Sequence, residues 1–282
     1  MIDAHHHLWS AAAVRELPWV SGRFGALRRR YDVGDLTPLL PGAGVDRTVA
    51  VEALGGTAES LRLLGAAAEA GGLIAGVVGW VDLSGPDVAS AIERLRNSRG
   101  GRWLVGVRHS VTEAGDARVL ETDVISPGAA VLERSGLALD LLVRPEDLAG
   151  VRTLARAHPG LTLVVNHLGK PPLQAGGLAE WSQGMSSLRG EANVYVKVSG
   201  LVTVSDWSAW QPADFREVTG RALDWFTPRR LLLGSDWPVC LVAGSYRDVF
   251  HAYAGQFGDL SGDERSDVLG GTAARVYRLG RC

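Results

Sequence analysis

Cysteine is nearly missing from this 282-residue chain, which has two, Cys240 and Cys282. Two thiols make no disulfide framework, so the chain is expected to fold in a reducing compartment, the cytoplasm. Lysine is as scarce: Lys170 and Lys197 stand alone, and arginine supplies nearly every other cation. With 29 basic side chains against 31 acidic ones the formal charge is −2. That gives no electrostatic case for nucleic acid or an anionic membrane as a partner. No apolar run approaches the roughly 18 residues a membrane span needs, and no basic stretch leads into a long apolar one at the N-terminus. Internal linkers and low-complexity segments are absent as well. No Gly-rich phosphate turn follows the first strand-like run, which argues against a nucleotide-binding doubly wound sheet.

Hydrophobic residues make up 46% of the chain, enough for a large core. They are gathered in eight short runs: 2–8, 47–53, 74–81, 103–110, 137–143, 161–167, 193–200 and 230–236. Helix-like stretches fall between most of them, at about 58–70, 87–96, 145–157, 212–226 and 246–256, with loop and helix together over 117–135 and a short helix near 264–276. Near-continuous apolar strands alternating with helices imply a parallel sheet buried on both faces. Eight such units in this length predict an α/β fold, a single (β/α)8 TIM barrel over residues 1–282. A long excursion, 9–44, carries Trp9, Trp19, Pro38, Pro41 and the Arg28–Arg30 run. Such a run either greets an anionic substrate or is a solvated charged surface, and the second account is the simpler.

The chemistry starts at the first residues, Asp3-Ala4-His5-His6-His7. Strand alternation puts Asp3, His5 and His7 on one face, with Ile2, Ala4, His6 and Leu8 on the other. Two imidazoles so placed reach one metal ion or one substrate carbonyl. In a (β/α)8 barrel the site lies at the C-terminal strand ends. Those ends here carry His5 and His7, Glu52, Arg108 and His109, Asp140, His167, Lys197 and Ser199, and Asp236. A ring of polar groups on apolar strands is costly as packing, about 1–3 kcal/mol for each unpaired group, and is better explained as a polar pocket. Taken singly, each has a bland reading: His167 as a core histidine, Asp236 as a turn or capping residue, Glu52 and Asp140 as arginine partners. His6, His158 and His251 read as structural.

The motifs His5-x-His7, Gly-Val-Arg108-His109, Asn166-His167-Leu-Gly-Lys170-Pro, Val-Lys197-Val-Ser199-Gly and Gly-Ser-Asp236-Trp-Pro occur in that order on successive strands. Together they resemble the amidohydrolase superfamily, and more narrowly the branch that includes 2-pyrone-4,6-dicarboxylate lactonase and the fucono- and rhamnono-lactonases. The resemblance covers the whole chain, down to Gly-Gly-Thr272-Ala-Ala-Arg-Val-Tyr277. It implies a core of His5, His7, His167 and Asp236, with Arg108 anchoring the substrate. Glu52, Asn166 and Thr272 depart from the Gln, Asp and Asn that many relatives carry. The bridging lysine and second histidine of two-metal members are missing from strands four and five, so at most one ion is expected.

The resemblance implies a hydrolase that opens a small lactone of the sugar-acid or pyrone/muconolactone type. Water attacks the ring carbonyl with Asp236 as general base. His5, His7, Asp236 and His167 are the expected ligands of one divalent ion, zinc above others, which lowers the pKa of bound water to about 7. A metal-independent route stays open, in which His5, His7, His167 and Arg108 polarise the carbonyl. Arg108, His109, Glu52, Lys197, Ser199 and Trp9 are expected around the substrate. The alternatives are a mononuclear-zinc decarboxylase of the amino-carboxymuconate semialdehyde type and a non-catalytic ligand-binding barrel.

Overall fold

The structure is a computed structural model that describes residues 1–15, 20, 22–111, 120, 122–174 and 177–280. Trp19, Cys282 and residues 117–119 and 121 of the stretch expected as loop and helix over 117–135 lie outside them. The strands are β1 (Ile2–His6), β2 (Arg47–Val51), β3 (Ile74–Gly79), β4 (Leu104–Ser110), β5 (Ala138–Leu142), β6 (Leu163–Val165), β7 (Val194–Val198) and β8 (Leu231–Leu233). They pair in chain order, every pair parallel, as the eight apolar runs predict.

The crossovers carry α1 (Thr57–Glu69), α2 (Val88–Arg96), α3 (Thr122–Ser135), α4 (Leu148–Ala157), α5 (Ala179–Ser187) and α6 (Arg216–Phe226), and α7 (Tyr246–Gly255) follows β8. Their ends obey local chemistry. Arg94 and Arg96 sit in the last turn of α2, where cations complement the helix dipole. Ser245 caps α7 by accepting the Asp248 amide. α5 lies where the sequence reads as loop, because Ala179-Glu-Trp-Ser-Gln-Gly has too few apolar residues to declare a helix. Trp181 and Met185 supply its buried side.

Two hydrophobic clusters follow from burial of the sheet on both faces. One lies between strands and helices. The other fills the barrel with Ile2, Ala4, Val49, Val51, Val78, Ala138, Val164 and Leu232, and is closed below by Ala273, Val276, Tyr277 and Leu279 of the C-terminal segment. At Gly76 there is no room for more: a Cβ would lie 2.9 Å from Leu279 Cδ2 and 2.8 Å from Val105 Cγ2.

β1 departs from the simple alternation. It takes three steps from Asp3 to His6 while β2 takes two, from Thr48 to Ala50. This one-residue bulge reverses the facing of what precedes it. Ala4 packs inside the barrel, whereas Asp3 faces the helices and meets Tyr246 of α7. Asp3 therefore does not share a face with His5 and His7. His6, as expected, turns outward, with Nε2 at 3.0 Å from Thr48 Oγ1. The barrel closes where β1 exits: His6 bridges Trp237, Asp236 N donates to His5 O (2.9 Å), and His7 N donates to Trp237 O (2.6 Å).

Candidate active site

The closing seam brings both ends of the chain's chemistry together. His5 Nε2 and His7 Nε2 are 3.2 Å apart, and Asp236 Oδ1 is 3.7 Å from the first and 3.4 Å from the second. His167 Nε2 stands 3.9 Å from the same oxygen. Asp236 holds this place with φ 60°, left-handed for a residue with a Cβ. Such a backbone costs on the order of 1–3 kcal/mol and persists only when its surroundings impose it. His167 also has positive φ (55°), at the head of the turn after β6. Its ring packs over Gly200, where a Cβ would lie 2.6 Å from His167 Nδ1, so only glycine fits there.

Each imidazole is oriented from behind. His7 Nδ1 lies 2.8 Å from Val51 O, which fixes a hydrogen there and turns Nε2 towards Asp236. His167 Nδ1 is 2.8 Å from Ser199 Oγ. Lys197 Nζ stands 3.3 Å from His5 Nδ1 and donates to Asp140 Oδ2 at 2.5 Å, while Tyr277 Oη donates to Asp140 Oδ1 at 2.7 Å. Arg108 Nε donates to Glu52 Oε1 at 2.6 Å, and Glu52 Oε2 accepts the Gly55 amide at 2.8 Å.

Burial sets the charges. It pushes His5 well below the ordinary histidine value and His167 down to about 3, so both are neutral imidazoles at neutral pH. For Asp236 burial pulls upward, but His167, the bond from His7 and Arg108 outweigh it and hold the carboxyl below its usual value. Asp236 is therefore ionised at neutral pH.

His5, His7 and Asp236 each offer one atom, all within 4.8 Å of one another. Ligands at about 2.0–2.2 Å from a tetrahedral zinc are roughly 3.3–3.6 Å apart; of the observed separations 3.4 Å lies inside that range, and 3.2 and 3.7 Å lie just outside its two ends. Two imidazoles and one carboxylate are also donor types that zinc takes. The trio fits a single divalent ion.

A cavity of about 310 Å³ opens over the group, with His7, Arg108, His167 and Asp236 in its wall. Four of the five expected catalytic side chains thus share one cavity, and His5 lies directly beneath it, fully buried. The expected substrate contacts divide. Lys197 and Ser199 are buried behind His5 and His167, Glu52 behind Arg108. Trp9 stacks on His7 (6.2 Å between centroids) and abuts Tyr31, and His109 is outside the cavity wall. Lys197, Ser199, Glu52 and Trp9 thus stand behind side chains of the site rather than in the cavity wall. Arg28–Arg30 are exposed, Arg29 and Arg30 pairing with Asp35 and Asp32, so that run is a solvated surface.

The cavity adds residues not singled out as site residues from the sequence: Phe24, Leu142, Arg144, Lys170, Thr203 and Val239. Lys170 and Arg144 follow strands 6 and 5 closely enough to have been found by counting past the strand ends. Phe24 comes from the long first loop and carries no sequence signal. Asn166, fully buried, makes no hydrogen bond with either side-chain amide atom among the described residues.

Fold and site together define a (β/α)8 hydrolase with its histidines on the first strand and its acid after the last. The chain matches the family described as "Amidohydrolase" over residues 2–279, and it belongs to that family. It is 37% identical over 290 residues to an L-fucono-1,5-lactonase of Burkholderia multivorans, covering 99% of this chain and 96% of the relative. An L-fucono-1,5-lactonase of Burkholderia ambifaria is also 37% identical, over 287 residues, with the same coverage. The crystal structure of a Burkholderia multivorans amidohydrolase with bound zinc superposes with a TM-score of 0.92 at 36% identity, covering 99% of both chains.

Proposed function

We propose that the protein is a lactonase that hydrolyses a small sugar-acid lactone. The observation that carries this reading is the Asp236 carboxylate, ionised and facing the cavity, 3.4 Å from His7 and beside Arg108. The two L-fucono-1,5-lactonases support the substrate class. A six-membered sugar lactone also suits a cavity of about 310 Å³.

Water attacks the ring carbonyl carbon while Asp236 takes one of its protons. The carbonyl oxygen becomes an oxyanion, opposite which Arg108 is held by its bond to Glu52. As the tetrahedral intermediate collapses, the ring C–O bond breaks, and Asp236 returns the proton to the departing alkoxide. The open-chain hydroxy acid then loses its own proton to solvent. His5, His7 and Asp236, with His167 beside them, would hold one zinc ion, which when bound supplies Lewis acidity at the carbonyl and an acidified water. The reading has one domain over residues 1–282 acting on a small molecule in the cytoplasm, in keeping with two cysteines and no nucleic-acid-binding charge. No observation on this chain favours the decarboxylase or the non-catalytic barrel.

The test is a panel of purified sugar lactones followed by acid release, with and without prior chelation. Ring opening is expected, and Asp236→Asn should lower kcat by about 10²- to 10⁴-fold. No turnover across the panel, or full activity in Asp236→Asn, would overturn the reading.

A further inference from the structure

Asp3 is a fully buried carboxylate held by neutral donors alone. Its Oδ1 accepts the amides of His5 (3.1 Å) and Ser235 (2.9 Å). Its Oδ2 accepts the hydroxyls of Ser235 (2.7 Å) and Tyr246 (3.0 Å). The two oxygens thus span the seam between β1 and the turn after β8, where the parallel ladder gives way to the isolated bridge between His6 and Trp237. Ser235 Oγ in turn accepts the Trp237 amide at 3.0 Å. One hydroxyl therefore braces the backbone on both sides of Asp236, whose φ of 60° needs such a brace.

We infer that Asp3 and Ser235 form a positioning device for the site: from outside the barrel wall they fix Asp236 and His5 relative to each other. The inference rests on Asp236 being the working carboxylate of the proposed lactonase. The requirement for a carboxylate is geometric. Four donors converge on two oxygens, two to each, and an amide in the same place offers one acceptor oxygen to two N–H groups and turns an NH2 towards two hydroxyls. Tyr246 and Ser235 donate to the same Oδ2, but of the two hydroxyls it is that of Ser235 that also accepts the Trp237 amide, and its loss leaves that amide without its partner.

The experiment compares Asp3→Asn, Ser235→Ala, Ser235→Thr and Tyr246→Phe in the full chain, each first checked for native circular dichroism and melting temperature. On the lactone that the native protein opens best, Ser235→Ala is expected to lower kcat by about 10- to 100-fold with KM changed less than about three-fold. Ser235→Thr, which keeps the hydroxyl, should recover most of that loss. Asp3→Asn should follow Ser235→Ala in kcat, and Tyr246→Phe should lower the melting temperature more than it lowers kcat. A folded Ser235→Ala chain with native kcat would overturn the inference, as would one whose kcat falls only in step with its stability, like Tyr246→Phe. Where the native protein opens no lactone, the functional reading fails by itself. The device is then judged from a crystal structure of Ser235→Ala: it stands if Asp236 leaves the left-handed conformation or its carboxylate moves away from His7, and falls if both stay.

Discussion

Glu59 illustrates how one buried side chain ties stability to pH. Its carboxylate accepts the amides of Ala53 (3.0 and 3.1 Å) and Leu54 (2.8 Å), so the first turn of α1 is fastened to the end of β2. Burial, and then the neighbouring Glu52, push the carboxyl from 4.5 up to about 7. The folded protein thus holds this proton to higher pH than the unfolded chain does. The stability it contributes is complete below about pH 4.5 and falls as pH rises through about 7, by on the order of 3 kcal/mol in all. Urea melts at about pH 5 and about pH 8 should record that fall, and Glu59→Gln should flatten it. Equal losses in the two proteins would contradict this origin. Residue identity at the site was legible to a similar depth. Alternation picked out His5 and His7, and the strand ends Arg108, His167 and Asp236, but whether a polar residue reaches the rim or stops a layer below depends on strand tilt and stagger. Hence Lys197, Ser199 and Trp9 lie behind the cavity they were expected to line.

At the scale of elements, β5 and β7 are held together inside the barrel by an ion pair. Lys197 and Asp140 are both fully buried, and the phenol of Tyr277 is the carboxylate's other partner. Breaking a buried pair on one side leaves a charge that cannot be solvated, at a cost of about 3–5 kcal/mol. Lys197→Met should therefore lower the unfolding free energy by that amount, and Lys197→Met with Asp140→Asn by clearly less. Additive losses in denaturant melts would argue that the two side chains do not act as a pair. The strands themselves were readable because they are buried on both faces and so nearly unbroken in hydrophobicity. α5 was not readable: its buried side is little more than Trp181 and Met185. The bulge in β1 was silent too, since Ala4 is neither a glycine nor otherwise unusual for a regular strand.

The whole molecule depends on its C-terminal segment. Ala273, Val276, Tyr277 and Leu279 floor the barrel, and Tyr277 reaches the Asp140–Lys197 pair that stands behind His5. A chain cut after Gly271 would open that floor to water and leave the ion pair wet. It is expected to lose cooperative thermal unfolding and to be cut rapidly by protease, whereas shortening the exposed Arg28–Arg30 surface by substitution to serine should do neither. A truncated chain with a native melting transition would show that the floor is ornamental.

The bulge has a last consequence, for anyone who would move this site elsewhere. On a regular strand Asp3-Ala-His5-His-His7 would turn three polar side chains into the lumen, and the carboxylate would compete with Asp236 for the same space. With the extra residue, the acid two places before the first histidine is handed to the other side of the wall. The string of letters alone is therefore not portable. What has to be transplanted is the string together with its slip in register, and the serine and tyrosine that receive the displaced acid.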